Sequence, residues 1–464
     1  IAPARRIVII AMLFTLCIVL SVCATLANTA MMQGIEDIIC RRVHGPGFPR
    51  NETAGRDVDD PCKDDAIAGE IAMILGWDGV FNLLPSIFLA VPFGAVADRY
   101  GRVPVIGLVL MGVVLQIAWI MFVCLMDGAL DVRYVWAANL ASFVGGGQVV
   151  FTSMLYTMVA DISTDAQRTT LFLYIGTVVM GGSLAAHPLT YLAMQVGTWF
   201  TFKISLLCAI IAALLAFWIP ETLDRTAARE VDPVPFDADQ TALNKVKLTI
   251  LDRILASAST AATHTLRTVR WLFWEQKLVG LLFASLACEI MGKSVNDILQ
   301  QYISKRHRIT FAEASLFETI SLVTVMVALL VILPLLSHIL QTRLGWSARA
   351  KDLRLAQLSA LLTAAGCLLI GLASTLPLLS VAMVTFSLGV GYTFMIRGLM
   401  TSLVGGKDIA LLYSTIAVVD SLSIIIGLPM FSWLFKVGMG WGPAWVGLPF
   451  LVAGAILVGA AVFV

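Results

Sequence analysis

The strongest constraint on this chain is a succession of long apolar runs that almost no charge interrupts. They fall at about 7–33, 71–97, 103–126, 134–159, 169–195 and 200–220, and again at 278–299, 314–339, 353–373, 377–403, 409–435 and 442–464. A helix crossing a bilayer needs about 20 apolar residues, and each run supplies that length. The chain is 59% hydrophobic and 13% charged, against about 25% charged in soluble globular proteins. A soluble core cannot hide that much apolar surface. A cytosolic enzyme, a disordered regulator and a small disulfide scaffold are therefore excluded. The expected fold class is all-α membrane, with twelve transmembrane helices in two pseudo-symmetric six-helix halves. Residues 1–220 form the first half, 221–277 a polar central loop and 278–464 the second half.

Thirty of the 61 charged residues crowd into two segments, 36–70 and 221–277. Arg5 and Arg6 precede a run that continues to about Met32, too long for a signal core of 7 to 15 residues. An uncleaved first span fits better, and the start at Ile1 rather than Met carries the expectation of a trimmed tail. Counted by alternate loops, 18 basic residues lie on the side of the termini and ten on the other. By the positive-inside rule both termini and the 221–277 segment are expected to be cytosolic. The Lys305-Arg306-His307-Arg308 cluster violates that rule. The 36–70 loop would then face outward, where Asn51-Glu52-Thr53 reads as a glycosylation sequon on Asn51. Cys40 and Cys62 are the two cysteines of that loop, and an oxidising compartment favours a disulfide between them. A zinc site competes poorly, having only His44 nearby. The other six cysteines lie in apolar runs and read as small core residues. In the central loop, Leu243, Val246, Ile250, Leu251 and Ile254 follow helical spacing over about Ala242 to Leu255. This reads as an amphipathic helix on the inner membrane surface, or simply as part of a linker between two bundles.

After the second run comes Gly94-Ala95-Val96-Ala97-Asp98-Arg99-Tyr100-Gly101-Arg102. This turn resembles the signature of the major facilitator superfamily, a glycine, three residues, Asp-Arg, any residue, Gly-Arg, between spans two and three. Ile219-Pro220-Glu221-Thr222 closing span six, and Asp161 with Arg168 after span four, are similar to the family too. The resemblance covers all twelve spans and is nearest to fungal members. A second, smaller likeness is to the proton-coupled folate transporter group, with its cysteine-bearing loop after span one. The resemblance implies a secondary active transporter that moves a small organic solute by alternating access. Gly94, Asp98, Arg99, Gly101, Arg102, Asp161, Arg168 and Asp408 would be its gating residues. Asp98 and Arg102 can pair across the turn at Gly101, Gly94 would let two helices approach closely, and Asp98 would face the start of span eleven at Lys407-Asp408. The competing reading is a topogenic turn without a gating role.

Ionisable residues inside a membrane are costly and mark function by default. Span seven carries Glu289, Lys293 and Asp297 at successive i, i+4 steps, hence on one helix face. The resemblance implies that span seven lines the central cavity, so this face is expected to meet substrate or protons, or else to form a self-satisfied ladder that fixes packing. Asp420 lies about 12 residues into span eleven with no partner in its own span. It is a candidate proton carrier, or the partner of Arg397 or Lys293. His187 is either a proton relay or a neutral hydrogen-bonded residue, and Arg397 either a functional charge or one that snorkels. Asp78, Glu318 and Lys203 read as solvated near the outer surface. Asn28, Gln33, Gln116, Asn139 and Gln148 are candidates for uncharged substrate contacts or interhelical hydrogen bonds. Gly145-Gly146-Gly147 permits close packing or a bend.

The chain departs from drug–proton antiporters, lacking their span-four Arg and their glycine-proline motif in span five. It also departs from sugar porters, since Gln341-Thr342-Arg343-Leu344-Gly345 is a poor second copy of the turn. Drug or secondary-metabolite efflux by proton antiport stays as an alternative, as does a non-transporting nutrient receptor on the same fold. No HExxH, GxSxG or P-loop pattern is present, so the protein is not read as an enzyme or an ATP-driven pump. No cofactor or metal is expected, and a net charge of +1 gives no footprint for nucleic acid. The expected partners are a small-molecule substrate, protons and the lipid bilayer. A monomer is expected, in the plasma or vacuolar membrane of a eukaryote.

Overall fold

The computed structural model describes residues 3–45, 61–126, 129–163, 165–222, 277–343, 345–404 and 409–463. Asn51, Asp408 and the 242–255 stretch lie outside them, as does the side chain of Arg168. Among the described residues the regular structure is helical throughout, and eleven helices are long and apolar enough to cross a membrane. Spans one to four are Pro3–His44, Asp65–Tyr100, Arg102–Leu125 and Val132–Ile162. Span five is Asp165–Val196, the twelfth helix, and span six is Thr198–Trp218. Spans seven to twelve are Val279–His307, Phe311–Thr342, Ala348–Leu372, Leu376–Leu403, Ile409–Trp441 and Leu448–Phe463. They form the two expected six-helix halves.

Each half is held by direct helix contact, because lipid offers no hydrophobic gain for helix association. In the first half Ile9, Leu13, Val105, Val109, Val150, Met154, Ala212 and Ala216 share one buried cluster. In the second, Tyr302, Cys367, Met383, Phe431, Phe435 and Phe450 do the same. Small residues set the crossings. A Cβ on Gly145 of span four would lie 2.2 Å from the Val109 nitrogen of span three. A Cβ on Gly366 of span nine would lie 2.2 Å from the Phe386 nitrogen of span ten. Equivalent helix pairs in the two halves thus touch backbone to backbone.

Several central spans are irregular. Span four begins as a 3-10 helix, Val132–Ala141, and turns at Gly146, whose φ of 87° suits glycine. The Gly145-Gly146-Gly147 segment therefore serves both close packing and a bend. Span seven is α-helical to Lys293, becomes a 3-10 helix over Ser294–Ile298 and resumes at Leu299. That change of pitch breaks the expected i, i+4 ladder, so Glu289 and Lys293 pair but Asp297 does not continue the row.

The 36–70 stretch is far less of a loop than expected. Span one runs on to His44 and span two begins at Asp65. The polar extension of span one bonds along its own length, through Gln33 to Glu36 and Asp37 and through Arg41 to the Asp37 carbonyl. Cys40 and Cys62 form a disulfide with Cα atoms 5.1 Å apart. It fixes Lys63 beside span one. The Lys63 ammonium lies 2.8 Å from Glu36, donates to Ser304 at 2.9 Å and sits 4.2 Å from the Phe311 ring centre. Lys305 returns the contact, bonding the Lys63 carbonyl and lying 2.7 Å from Asp65. Arg306 bonds the carbonyls of Ala373 and Pro443. The Lys305–Arg308 cluster is thus taken up by helix ends and by contact between halves.

The described polar contacts between the halves gather at this disulfide end and at mid-depth, where Gln300 donates to Thr29 at 3.2 Å. Spans two and eleven also close here. Cβ atoms on Gly69, Gly76 and Gly79 would meet Lys436, Ser432 and Leu428 at 2.9, 2.3 and 2.7 Å. At the opposite end, nothing lies within 4 Å of a Cβ built on Gly94, and the Asp98 side chain is 71% exposed. Among the described residues, none approaches Gly94 closely in this conformation.

The disulfide closes a 22-residue separation, which the chain-entropy model values at about 3 kcal/mol. Cys40→Ser should lower the thermal midpoint of the purified protein. Reductant should bring the wild type down to the same value and leave the variant unmoved.

Candidate functional site

Three polar assemblies lie within the membrane-spanning part. The first borders a cavity of about 480 Å³ in the first half, lined by spans one to five. Asn28 and Gln148 line it, with Gln116 beside them. Asp78 and Asn82 of span two line it too. The Asp78 carboxylate accepts a hydrogen bond of 2.7 Å from the Asn139 amide. The Asn139 carbonyl in turn accepts from Asn82 at 3.1 Å and from Gln116 at 3.0 Å. Asp78 is therefore not a solvated surface acid. Span two starts at Asp65 rather than 71, so Asp78 lies roughly 20 Å along the helix axis from the span's start.

The second assembly belongs to the second half. Glu289 is fully buried, pairs with Lys293 and accepts from the Thr393 hydroxyl of span ten at 3.2 Å. One turn further along span ten, Arg397 pairs with Asp420 of span eleven at 2.5 Å. Asp420 thus has a cation from another helix, and Arg397 turns into the protein instead of snorkelling. A charge in hydrocarbon is far cheaper when paired. The pair is incompletely satisfied, since Asp420 Oδ1 and Arg397 Nε are buried without a hydrogen-bond partner among the described residues.

The third lies between the halves, where spans five and eight pack together. His187 Nε2 is 3.7 Å from Glu318, and its Nδ1 is buried without a partner among the described residues. Asp297 lies within electrostatic range of Glu318. Glu318 is consequently an interhelical group rather than a solvated one. Lys203 is exposed.

The signature turn sits at the end away from the disulfide. Gly101, with φ of 114°, reverses the chain between spans two and three. Arg102 pairs with Asp98 and lies 3.5 Å from Asp161, which also accepts from Thr222 at 3.4 Å. Arg99 extends over the Tyr100 ring at 5.6 Å. Glu221 caps span three, accepting from the backbone N–H groups of Arg102 at 3.0 Å and Val103 at 3.2 Å. A carboxylate there satisfies orphan donors and suits the positive end of the helix dipole. A Cβ on Gly101 would lie 2.3 Å from the Glu221 carboxylate. The glycine thus serves both the turn and the cap.

Sequence reasoning passed over Glu221, Thr393, Glu36 and Lys63 as functional groups. Thr393 was detectable, since it stands four residues before Arg397 and shares its helix face. Glu36 and Lys63 carry no such signal, because their contact depends on how the segment folds back.

Two helical halves closing at one end around buried polar groups define a membrane transporter fold, and a family profile of the Major Facilitator Superfamily matches residues 68–401. The chain belongs to that superfamily and is a transporter rather than an enzyme. It is 29% identical over 443 residues to the MFS efflux pump atnC of Emericella nidulans, covering 94% of this chain and 83% of that protein. It is 28% identical to the MFS-type transporter avaK of Aspergillus versicolor, covering 91% and 84% respectively. Among solved structures, a D-xylose-proton symporter superposes with a TM-score of 0.61 at 14% identity, covering 99% of this chain and 96% of that one. That likeness bears on the fold alone.

Two outcomes follow. Glu221→Ala should cost about 1 kcal/mol by removing a helix cap, and Gly101→Ala should cost at least as much, both read as lowered thermal midpoints. Asp420→Asn or Arg397→Gln alone should destabilise by about 1 to 3 kcal/mol, because each leaves a partly buried charge unpaired. The double variant should recover much of that loss in a double-mutant cycle.

Proposed function

We propose that this protein exports a small organic solute by alternating access, driven by proton antiport. The observation that carries this reading is the closure of the two halves at the disulfide end, together with the cavity of the first half and the paired carboxylates of the second. The Lys63–Ser304 and Lys305–Asp65 contacts shut the disulfide end, which we read as the outside, so the opposite, cytosolic end admits solute. Rocking the halves would break those contacts and bring the signature turn against the start of span eleven. Gly94, Asp98, Arg99, Gly101, Arg102, Asp161, Arg168 and Asp408 are the inner gate in this scheme.

Export is supported by the relative named an efflux pump. Proton coupling is supported by Glu289 and Asp420, each held by a basic residue that protonation of the acid would release. His187 and Glu318 are a second place for a proton to rest, and Asp297 a third. Both termini would be cytosolic, and Asn51 would be glycosylated outside, at the plasma or vacuolar membrane. A monomer suffices, since one chain supplies both halves of the pathway.

Overproduction in a host lacking the gene should enrich specific metabolites in the medium and deplete them in the cells, as read by untargeted mass spectrometry. A protonophore, Glu289→Gln or Asp420→Asn should remove at least about nine-tenths of that enrichment, a tenfold effect equal to 1.4 kcal/mol. Enrichment that ignores all three would reject proton coupling. No change in any metabolite would favour the non-transporting receptor.

A further inference from the structure

We propose that the cavity of the first half is a binding site for a lipophilic organic cation, with Asp78 as its counter-ion. This rests on reading the protein as an organic-solute transporter and names the class of solute. Asp78 is the one charged side chain among the described residues lining the cavity. Its surroundings are built. The Asn139 carbonyl is taken by Asn82 and Gln116, and this orients the Asn139 amide toward Asp78 Oδ1. One carboxylate oxygen is thereby fixed, and among the described residues no hydrogen bond occupies the other.

The second half offers the contrast. Glu289 and Asp420 each have a basic partner, Lys293 and Arg397. Among the described residues no Lys or Arg pairs with Asp78, and its hydrogen-bonding neighbour is a neutral amide. A carboxylate in such a chamber is best balanced by a positive charge that arrives with the ligand. Most of the remaining lining is apolar. Leu20, Val109, Val113, Ile117, Ile120 and Phe151 supply a wall for a hydrocarbon or aromatic body. An anion of the same shape would meet a carboxylate with nothing to offset the repulsion.

The test uses two ions of nearly equal shape and opposite charge, tetraphenylphosphonium and tetraphenylborate. Binding to the full chain in lipid nanodiscs is measured by equilibrium dialysis, with empty nanodiscs subtracted. Saturable binding of the phosphonium without saturable binding of the borate is expected. Asp78→Asn should weaken phosphonium binding roughly 30-fold or more, as expected for removing one partner of a desolvated charge pair, and Asp78→Glu should keep most of it. Absence of saturable phosphonium binding, equal binding of the borate, or unchanged affinity in Asp78→Asn would each overturn the proposal. The wild-type comparison of the two ions decides even if Asp78→Asn does not fold. Metabolite export that survives Asp78→Asn would reject the cation site and leave the transporter reading intact. Asp78-dependent phosphonium binding without any export would do the reverse.

Discussion

A charge inside hydrocarbon must find an opposite charge or a strong hydrogen-bond partner, and the arrangement of this molecule follows from how each buried acid meets that demand. Glu289 is served by Lys293 on its own helix and Thr393 on the next. Asp420 is served by Arg397 across a helix boundary, Asp78 by the Asn139 amide, and Glu36 by Lys63. Most of these links tie two segments together. They therefore decide which faces of spans two, four, seven, ten and eleven turn away from lipid.

Close glycine packing occurs both within and between the halves, but the bonds that bridge the halves are side-chain bonds. Inside each half, Gly145 on Val109 and Gly366 on Phe386 bring backbones together, and such packing does not yield by degrees. Between the halves, Gly69, Gly76 and Gly79 pack on span eleven, and Lys63, Lys305 and Gln300 add side-chain bonds that a modest separation would replace with water. Side-chain bonds of that sort are the ones that a rocking motion of the halves would exchange. The disulfide contributes by fixing the position of Lys63, so a covalent link and a polar latch are parts of one device.

Much of the fold was legible because apolar length and hydrogen-bond economy leave a membrane chain few options. The signature turn was legible as well, with Asp98, Gly101 and Arg102 meeting as their spacing implied. What failed did so for local reasons. Asp78 was misplaced because polar residues such as Glu70 sit inside span two and hid its start at Asp65. Asp297 left its expected row because a 3-10 turn, invisible in composition, changes the pitch after Lys293. The role of Glu221 went unseen because it reaches back 119 positions to cap span three.

The sequence by itself determined that the chain crosses a membrane as helices, how many times, and that the turn after span two has a defined shape. Those properties depend on neighbours along the chain, through apolar length, glycine conformation and the i, i+4 rule. Only the tertiary structure decided which acid meets which base, which end of the molecule is closed, and that Asp78 faces a cavity. Each of those outcomes depends on distances between helices far apart in the chain. Pairing energies within a low dielectric fall off over a few ångströms, a scale that helix packing sets and residue order does not.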